Sequence, residues 1–181
     1  MRLFNDDTIL ITDNFNIGQD WEVPIVGFFI IGAKDKSKRS IEDFSEEELA
    51  ELMSAAKKMR LAMKEVLKIR DVYLFQNEDT EHGFHLWLFP RHPWMEEFGR
   101  KIESVRPIML HAQKEFSDEK HIAEVNNAAR KVKEYLDKDI VRHGWDKVVK
   151  QVFLSSQTII DQLAMKLLTL KEKLSFKSMI L

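Results

Sequence analysis

Short apolar runs mark strands in the first half of the chain. Residues 8–12 and 28–31 are rich in β-branched or aromatic side chains and are bounded by turn-forming residues. Residues 72–76 and 84–89 form two further runs of this kind, and Pro90 limits the last one because it cannot donate to a strand ladder. The pattern therefore predicts four strands.

The most regular helical pattern lies between the second and third predicted strands. Ser45 and Glu48 have the spacing of a capping box, in which each side chain accepts a hydrogen bond from a free backbone N–H of the first turn. We expect this helix to end at about Lys68. The residues that recur at helical spacing and predict one apolar face are Leu49, Leu52, Met53, Ala56, Met59, Met63, Val66 and Leu67.

The second half of the chain has helical periodicity. Pro107 suits the first turn of a helix, Ser117 suits the N-cap of the next one, and residues 145–174 repeat the amphipathic spacing. Strands followed by helices predict an α+β fold with an antiparallel sheet. We divide the chain into a domain of residues 1–116 and a helical C-terminal extension of residues 117–181.

Composition narrows the classes of function. The chain has 181 residues, no cysteine and a formal net charge of −2, so it has no disulfide, no thiol chemistry and no generally basic surface for a nucleic-acid polymer. No apolar stretch reaches the roughly 18 residues of a membrane span, and residues 1–7 lack the apolar run of a signal peptide. We expect a cytoplasmic protein with no membrane partner.

The C-terminal segment, residues 140–181, differs from the rest in charge. It contains seven basic and three acidic residues, a net charge of +4, in a chain whose total is −2. We expect one or two amphipathic helices, whose apolar stripe needs a covering surface. In order of preference, that surface is the body of the protein, a second subunit or an anionic membrane, and we expect no catalytic residue in the segment.

Reactive side chains concentrate around the fourth predicted strand. On a strand, His85 shares one face with Trp87 and Phe89, whereas Phe84 and its alternate neighbours share the other. A neutral imidazole on a partly buried strand can act as a nucleophile or general base, because its pKa lies near operating pH. A core histidine bonded to backbone is the alternative interpretation of His85.

Other histidines offer weaker chemistry. A zinc site made of His82, His85 and His92 matches no common ligand spacing, and we predict no metal. The chain has no glycine-rich phosphate loop and no metalloprotease or nucleophile-elbow motif. The histidines that we expect to be structural or solvated are His111, His121 and His143.

The fourth strand resembles a known signature. Residues 84–91, Phe-His-Leu-Trp-Leu-Phe-Pro-Arg, resemble the His-φ-His-φ-His-φ-φ pattern of the histidine-triad (HIT) superfamily, often followed by Pro-Arg, with φ apolar. The middle histidine of the pattern falls on His85, and the ordered resemblance covers about residues 8–116. This sequence departs from the pattern at the first position, Gly83, and at the third, Trp87. The resemblance implies a HIT-like antiparallel sheet with a long helix.

The resemblance also implies a function. His85 would be the catalytic nucleophile of a nucleotide-phosphate hydrolase or nucleotidyl transferase, for example one similar to dinucleoside polyphosphate hydrolases, and would form a nucleotidyl-histidine intermediate without a cofactor. Turn chemistry is the alternative interpretation of Asp13 and Asp20. The residues that the resemblance implies for binding a nucleotide or dinucleotide are Asn77, His82, Trp87, Arg91, Asp13 and Asp20.

Three interpretations stay open from the sequence. The first is the enzyme just described, which retention of His85 favours. The second is a catalytically degenerate nucleotide-binding or protein-interaction module on the same fold, which the altered triad positions favour. The third is an unrelated α+β domain. HIT proteins generally pair through the region that matches residues 44–75, so we also expect a homodimer.

Overall fold

A five-stranded antiparallel sheet organises the molecule. The computed structural model describes residues 3–4 and 8–138. The strands lie side by side in the order β1-β2-β3-β5-β4, so β3 is central, β5 is an interior strand, and β1 and β4 are the edges. Their bounds are β1 Thr8–Ile11, β2 Phe15–Gln19, β3 Phe29–Ala33, β4 Val72–Phe75 and β5 His85–Pro90.

The hydrophobic pattern of the sequence does not predict β2. This strand pairs with β1 across a tight turn, in which Thr12 Oγ1 accepts a hydrogen bond from the backbone N–H of Phe15 at 3.2 Å. Two of its five residues, Asn16 and Gly18, are of types that are depleted in strands, so the sequence pattern of this segment does not indicate a strand. Pairing on both sides with β1 and β3 outweighs that weak local preference.

The long helix α1, Glu46–Glu65, begins at the predicted capping box. The backbone N–H of Glu48 donates to Ser45 Oγ at 3.3 Å, and the backbone N–H of Ser45 donates to Glu48 Oε2 at 2.8 Å. The helix ends three residues before the predicted Lys68, which itself takes a left-handed conformation with φ of 58°. Its buried residues are Leu52, Ala55, Ala56, Met59, Ala62 and Met63.

The remaining described elements are helical. Three short 3₁₀ helices comprise Ile41–Asp43, Pro93–Phe98 and Ile102–Ser104. Helix α2 comprises Val105–Glu115, beginning close to the predicted Pro107. Helix α3 begins at residue 119 and is described as far as 138. No helix in the described part of the chain is long and apolar enough to cross a membrane.

Each face of the sheet carries its own apolar core. One core lies between the sheet and α1 and includes Leu88 of β5 and Phe84, the residue before that strand. Three residues of α3 also belong to it, Ala129, Val132 and Leu136. The other core contains Phe89 together with side chains of α2 and of the segment after β2. Adjacent β5 side chains therefore enter opposite cores, as the alternation predicted. The α+β fold is confirmed.

The sheet and α3 belong to one compact unit, which ends at Asp137. The domain boundary after residue 116 stays a prediction. Three residues of α3, which follows that boundary, pack in the same core as the sheet. The helices predicted for residues 145–174, and the surfaces proposed to cover them, lie outside the described residues.

Candidate functional site

His85 is the first residue of β5, an interior strand of the sheet. It lies opposite Gly32 of β3, and its side chain is only 7% exposed, which confirms that the residue is buried. The side chain is on the sheet face of Trp87 and not on the face covered by α1. The strand thus holds an imidazole at the edge of an apolar core, where its surroundings restrict its orientation.

One ring nitrogen of His85 is fixed by the backbone. His85 Nδ1 lies 3.0 Å from the carbonyl oxygen of Gly83. Because a carbonyl oxygen only accepts hydrogen bonds, Nδ1 carries the hydrogen and donates it. In the neutral ring, Nε2 then has the free lone pair, and it makes no hydrogen bond within the described part of the chain. A backbone-bonded histidine and a nucleophilic histidine are therefore compatible in this geometry.

Aromatic rings extend from His85 in both directions along the sheet face. The ring centroids of His85 and Trp87 are 5.9 Å apart, those of His85 and His82 are 6.5 Å apart, and Trp21 contacts His82 edge-on at 6.0 Å. We call Trp21, His82, His85 and Trp87 the histidine cluster. The cluster spans an exposed residue, His82, and a buried one, His85, so it connects the core to solvent.

Three buried polar atoms near the cluster lack hydrogen-bond partners among the described residues. They are Trp87 Nε1, Asn77 Oδ1 and Thr80 Oγ1. Phe75 lies opposite Trp87 in the β4–β5 pair, which places Asn77, two residues further on, at the end of the sheet where His85 lies. Buried polar groups in native proteins are nearly always hydrogen-bonded. A donor and acceptors of this kind fit a polar ligand bound beside His85.

Close packing explains the glycine at the first position of the altered triad. A Cβ atom on Gly83 would lie 3.1 Å from the carbonyl oxygen of Lys36 and 3.2 Å from its Cα. The backbone N–H of Phe84 donates to the carbonyl of Lys38 at 2.6 Å, which holds the two segments together. A side chain at residue 83, including a histidine, requires the segment around Lys36 to move.

The loop between β4 and β5 is held by one arginine. Arg39 Nη2 donates to the carbonyl oxygens of Glu78, at 3.2 Å, and of Thr80. In return, Gln76 Nε2 donates to the carbonyl of Arg39 at 2.9 Å. These contacts fix the backbone of the loop that carries Asn77 and leads into the histidine cluster.

Arg91, predicted to bind phosphate, has other partners. Its guanidinium donates to Ser104 Oγ at 3.2 Å, to the carbonyl of Met95 at 3.2 Å and to the carbonyl of Gly99 at 2.8 Å. No member of the histidine cluster lines the cavity of about 380 Å³ beside it. The residues that line this cavity are Arg70, Asp71, Tyr73, Arg91, Glu96 and Arg100.

The two aspartates predicted to bind ribose lie at opposite ends of β2. Asp13 is exposed in the turn between β1 and β2. Asp20 is buried, and its Oδ1 accepts hydrogen bonds from the backbone N–H groups of Glu22 at 2.9 Å and Val23 at 2.7 Å. Asp20 therefore fixes a turn beside Trp21, a member of the histidine cluster, whereas no contact among the described residues brings Asp13 to it.

The sequence analysis missed two residues of the site. Trp21 packs against His82, and the hydroxyl of Thr80 is one of the buried unpaired atoms. Both lie in loops, where no periodicity indicates which way a side chain points. The position of Trp21 directly after Asp20 was the only signal in the sequence.

The other histidine of the region, His92, is structural. Its Nε2 lies 2.8 Å from the carbonyl of Val26 and therefore donates to it. Burial lowers the pKa of His92, although the bond to the Val26 carbonyl acts in the opposite direction. Among the described residues, no group of three or more His, Cys, Asp and Glu side chains could hold a metal ion.

Comparisons with known proteins agree on the fold. No protein-family model and no curated sequence matches the chain significantly. The structure of a zinc-bound histidine triad family protein from Mycobacterium smegmatis matches with 17% identity and a TM-score of 0.52, covering 77% of this chain and 88% of that one. A hypothetical histidine triad nucleotide-binding protein from Sulfolobus tokodaii matches with 17% identity and a TM-score of 0.52, covering 76% and 89%.

A third similar structure is much longer than this chain. The NitFhit protein of C. elegans is 15% identical to this chain, with a TM-score of 0.45. The match covers 60% of this chain and 27% of that one. The two matches that span most of both chains show that the protein has the histidine-triad fold. At such low identity they show the fold alone, so the chemistry has to be argued from the residues of this chain.

Proposed function

We propose that the protein is a nucleotide-phosphate hydrolase or nucleotidyl transferase that uses His85 as its nucleophile. The observation that carries this proposal is the hydrogen bond from Nδ1 to the Gly83 carbonyl, which leaves the lone pair of Nε2 free. The ring centroid of Trp87, whose Nε1 is a buried unpaired donor, lies 5.9 Å from that of His85. The fold is that of proteins whose names include nucleotide binding. A dinucleoside polyphosphate is the substrate type that we would test first.

The proposed reaction has two displacement steps. The lone pair of His85 Nε2 attacks the α-phosphorus, a P–N bond forms, and the P–O bond to the leaving phosphate breaks with its electron pair on the departing oxygen. A water molecule, or the hydroxyl of a second substrate, then attacks the phosphorus, the P–N bond breaks, and the incoming oxygen loses its proton. Both products are phosphates, and His85 is regenerated.

The described residues supply stabilising groups for the phosphoryl oxygens. Trp87 Nε1 is a donor only, so it can bind an oxygen without exchanging a proton. Asn77 Nδ2 donates one hydrogen to Asp79 Oδ1 at 3.1 Å and has a second hydrogen to donate. His82, whose ring centroid lies 6.5 Å from that of His85, can give a proton to the leaving oxygen. Of the two aspartates, Asp20 lies beside the cluster and would bind the ribose, and Arg91 would act by its charge at longer range.

Mass spectrometry of the intact protein provides the test. After incubation with diadenosine polyphosphates or adenosine phosphoramidates, we expect an adenylylated species on the wild-type protein and no adduct on His85→Ala. His92→Ala serves as a matched control, because its Nε2 is occupied by the Val26 carbonyl. Equal turnover by His85→Ala would show that His85 is not the nucleophile.

The second candidate function is a non-catalytic module that binds nucleotide or a protein partner. Gly83 and Trp87 favour it, because neither residue can transfer a proton in place of a histidine. Saturable nucleotide binding without an adduct and without turnover would select this function. In either case we expect the protein to act in the cytoplasm.

We also propose that the protein is a homodimer. The region of residues 44–75 contains three large apolar side chains that are exposed, Met53 at 61%, Leu61 at 48% and Leu74 at 49%. Leu74 lies on β4, an edge strand whose outer side can pair with a second copy. Pairing of this kind would extend the sheet across the two subunits.

A further inference from the structure

A second cavity lies outside the histidine cluster. It has a volume of about 220 Å³, and none of its lining residues belongs to the cluster. It is formed where the segment after β2, the segment after β5 and the start of α3 meet. Its lining residues are Pro24, Ile25, Val26, His92, Trp94, Phe116, His121, Glu124 and Val125.

The floor and walls of this cavity are apolar and aromatic. Ile25 and Val125 are each 1% exposed and form a closed floor. The rings of Trp94 and Phe116 meet at 90° with centroids 5.1 Å apart, and the imidazole of His121 stacks on Phe116 at 4.7 Å. The rings of Trp94 and Phe116 contact each other edge to face, so they form one continuous aromatic wall against which an apolar group can pack.

The cavity has a carboxylate at its rim. The side chain of Glu124 is exposed there and makes no hydrogen bond or ion pair within the described residues. Beside the cavity, His121 Nδ1 lies 2.5 Å from Asp118 Oδ2 and donates its hydrogen to that carboxylate. The hydrogen bonds from His121 lower the pKa of Asp118, so this carboxyl is ionised at neutral pH.

Neither lysine nor arginine lines the cavity. His92 lines it, but burial lowers the pKa of His92, and its Nε2 donates to the Val26 carbonyl at 2.8 Å. His121 also lines it and pairs with Asp118. Glu124 is therefore the lining carboxylate that has no ion-pair partner among the described residues.

We propose that this cavity is a binding site for a small organic ammonium ion with one aromatic or apolar group. The apolar group lies on the floor of Ile25 and Val125, against the aromatic wall of Trp94 and Phe116, and the cationic nitrogen lies beside Glu124 at the rim. The cavity is smaller than the roughly 300–1,000 Å³ of pockets for drug-sized ligands, so the ligand has about one ring. This site is independent of the proposed nucleotide chemistry.

The test uses benzyltrimethylammonium as the probe on the full-length protein. Binding is followed by calorimetry and by the indole N–H resonance of Trp94, identified among the four tryptophans by its loss in Trp94→Phe. We expect saturable binding of one equivalent that shifts the Trp94 resonance. We expect benzyl alcohol, which is neutral, and benzoate, which is an anion, to bind about tenfold more weakly or less, because both lack the cation.

Glu124→Gln separates the charge from the apolar contact. Glu124 is exposed, so the substitution leaves the fold intact, and we expect it to weaken binding of the probe by about fivefold or more. Glu119→Gln is the matched control, because Glu119 is an exposed residue of the same helix that does not line the cavity. It should leave the affinity unchanged.

Three results would overturn the proposal. They are the absence of saturable binding at millimolar probe, equal affinity for benzyl alcohol or benzoate, and equal weakening by the two glutamine variants. Either of the last two would show that binding is apolar or nonspecific rather than directed at a cation.

Discussion

At the scale of single residues, backbone contacts decide what the altered triad positions can do. The Gly83 carbonyl fixes the tautomer of His85, and a Cβ at residue 83 would lie only 3.1–3.2 Å from the backbone of Lys36. The same residue therefore orients the candidate nucleophile and disfavours a histidine at the first triad position, because the segment around Lys36 would have to move. Trp87 replaces the third histidine with a group that only donates.

The close approach at Gly83 predicts a loss of stability. Gly83→Ala should lower the free energy of unfolding by about 1–2 kcal/mol, because its Cβ would meet the backbone of Lys36 rather than a movable side chain. Urea denaturation measures the difference. Gly32→Ala is the control, since its Cβ would meet only ordinary contacts at 3.9 and 4.0 Å. A similar loss in both variants would contradict the steric explanation.

The unpaired indole nitrogen predicts a change in catalysis. Trp87→Phe keeps an aromatic ring against Phe28 and Phe75 but removes the only hydrogen-bond donor of the side chain. If the indole N–H binds a phosphoryl oxygen, kcat/KM should fall by about 10- to 100-fold, as expected for a hydrogen bond to a charged group. Trp94→Phe should leave kcat/KM unchanged. An unaltered kcat/KM in Trp87→Phe would remove the indole from the mechanism.

At the scale of elements, hydrogen bonds from single side chains hold the loops in place. Glu51 of α1 accepts hydrogen bonds from the backbone N–H of Asn14 at 2.9 Å and from its Nδ2 at 2.6 Å, which ties the turn between β1 and β2 to the helix. His92 ties the 3₁₀ helix that follows β5 to Val26 in the segment after β2. Both contacts join segments that are far apart in sequence.

The buried His92 predicts a pH dependence of stability. Its folded-state pKa is lowered by burial, so below the unfolded-state value of about 6.5 the unfolded chain binds more protons than the folded one. The stability contributed by neutral His92 is therefore complete above that pH and is lost as the pH falls from 7.5 to 5. The slope for one proton is at most about 1.4 kcal/mol per pH unit.

Comparison with His92→Gln isolates this effect. The variant should be less stable at pH 7.5 but should lose less stability between pH 7.5 and 5, as measured by urea denaturation. Carboxyl groups with lowered pKa values, such as that of Asp118, contribute stability that is lost only at more acidic pH. Parallel stability profiles of the two proteins would contradict the assignment to His92.

At the scale of the whole molecule, the exposed apolar residues of α1 and β4 predict association. Leu74→Glu should shift a dimer toward monomer, because a charge on the edge strand opposes pairing with a second copy. Light scattering at micromolar concentration measures the mass. Leu110→Glu is a control of similar exposure on α2, 51% against 49%, outside the proposed interface. A monomeric wild-type protein would refute the homodimer.

The sequence by itself determined the elements whose signals are local. The capping box at Ser45 and the apolar face of α1 follow from spacing along the chain, and the alternation along β5 assigns its side chains to two faces. The alternation along this strand also predicted that His85 is buried, and the resemblance of residues 84–91 to the histidine-triad signature predicted the fold.

Only the tertiary structure decided which distant segments meet. Strand β2 has a weak local signal and exists because it pairs with two neighbours. The contacts of Arg91 with the segment after β5, and of Trp21 with His82, depend on loops whose side-chain directions follow no period. The approach of Lys36 to Gly83 joins residues on different loops. The spacing of apolar residues along the sequence indicates which face of one element is buried. Which side chains meet in the site depends on how separate elements and loops pack together.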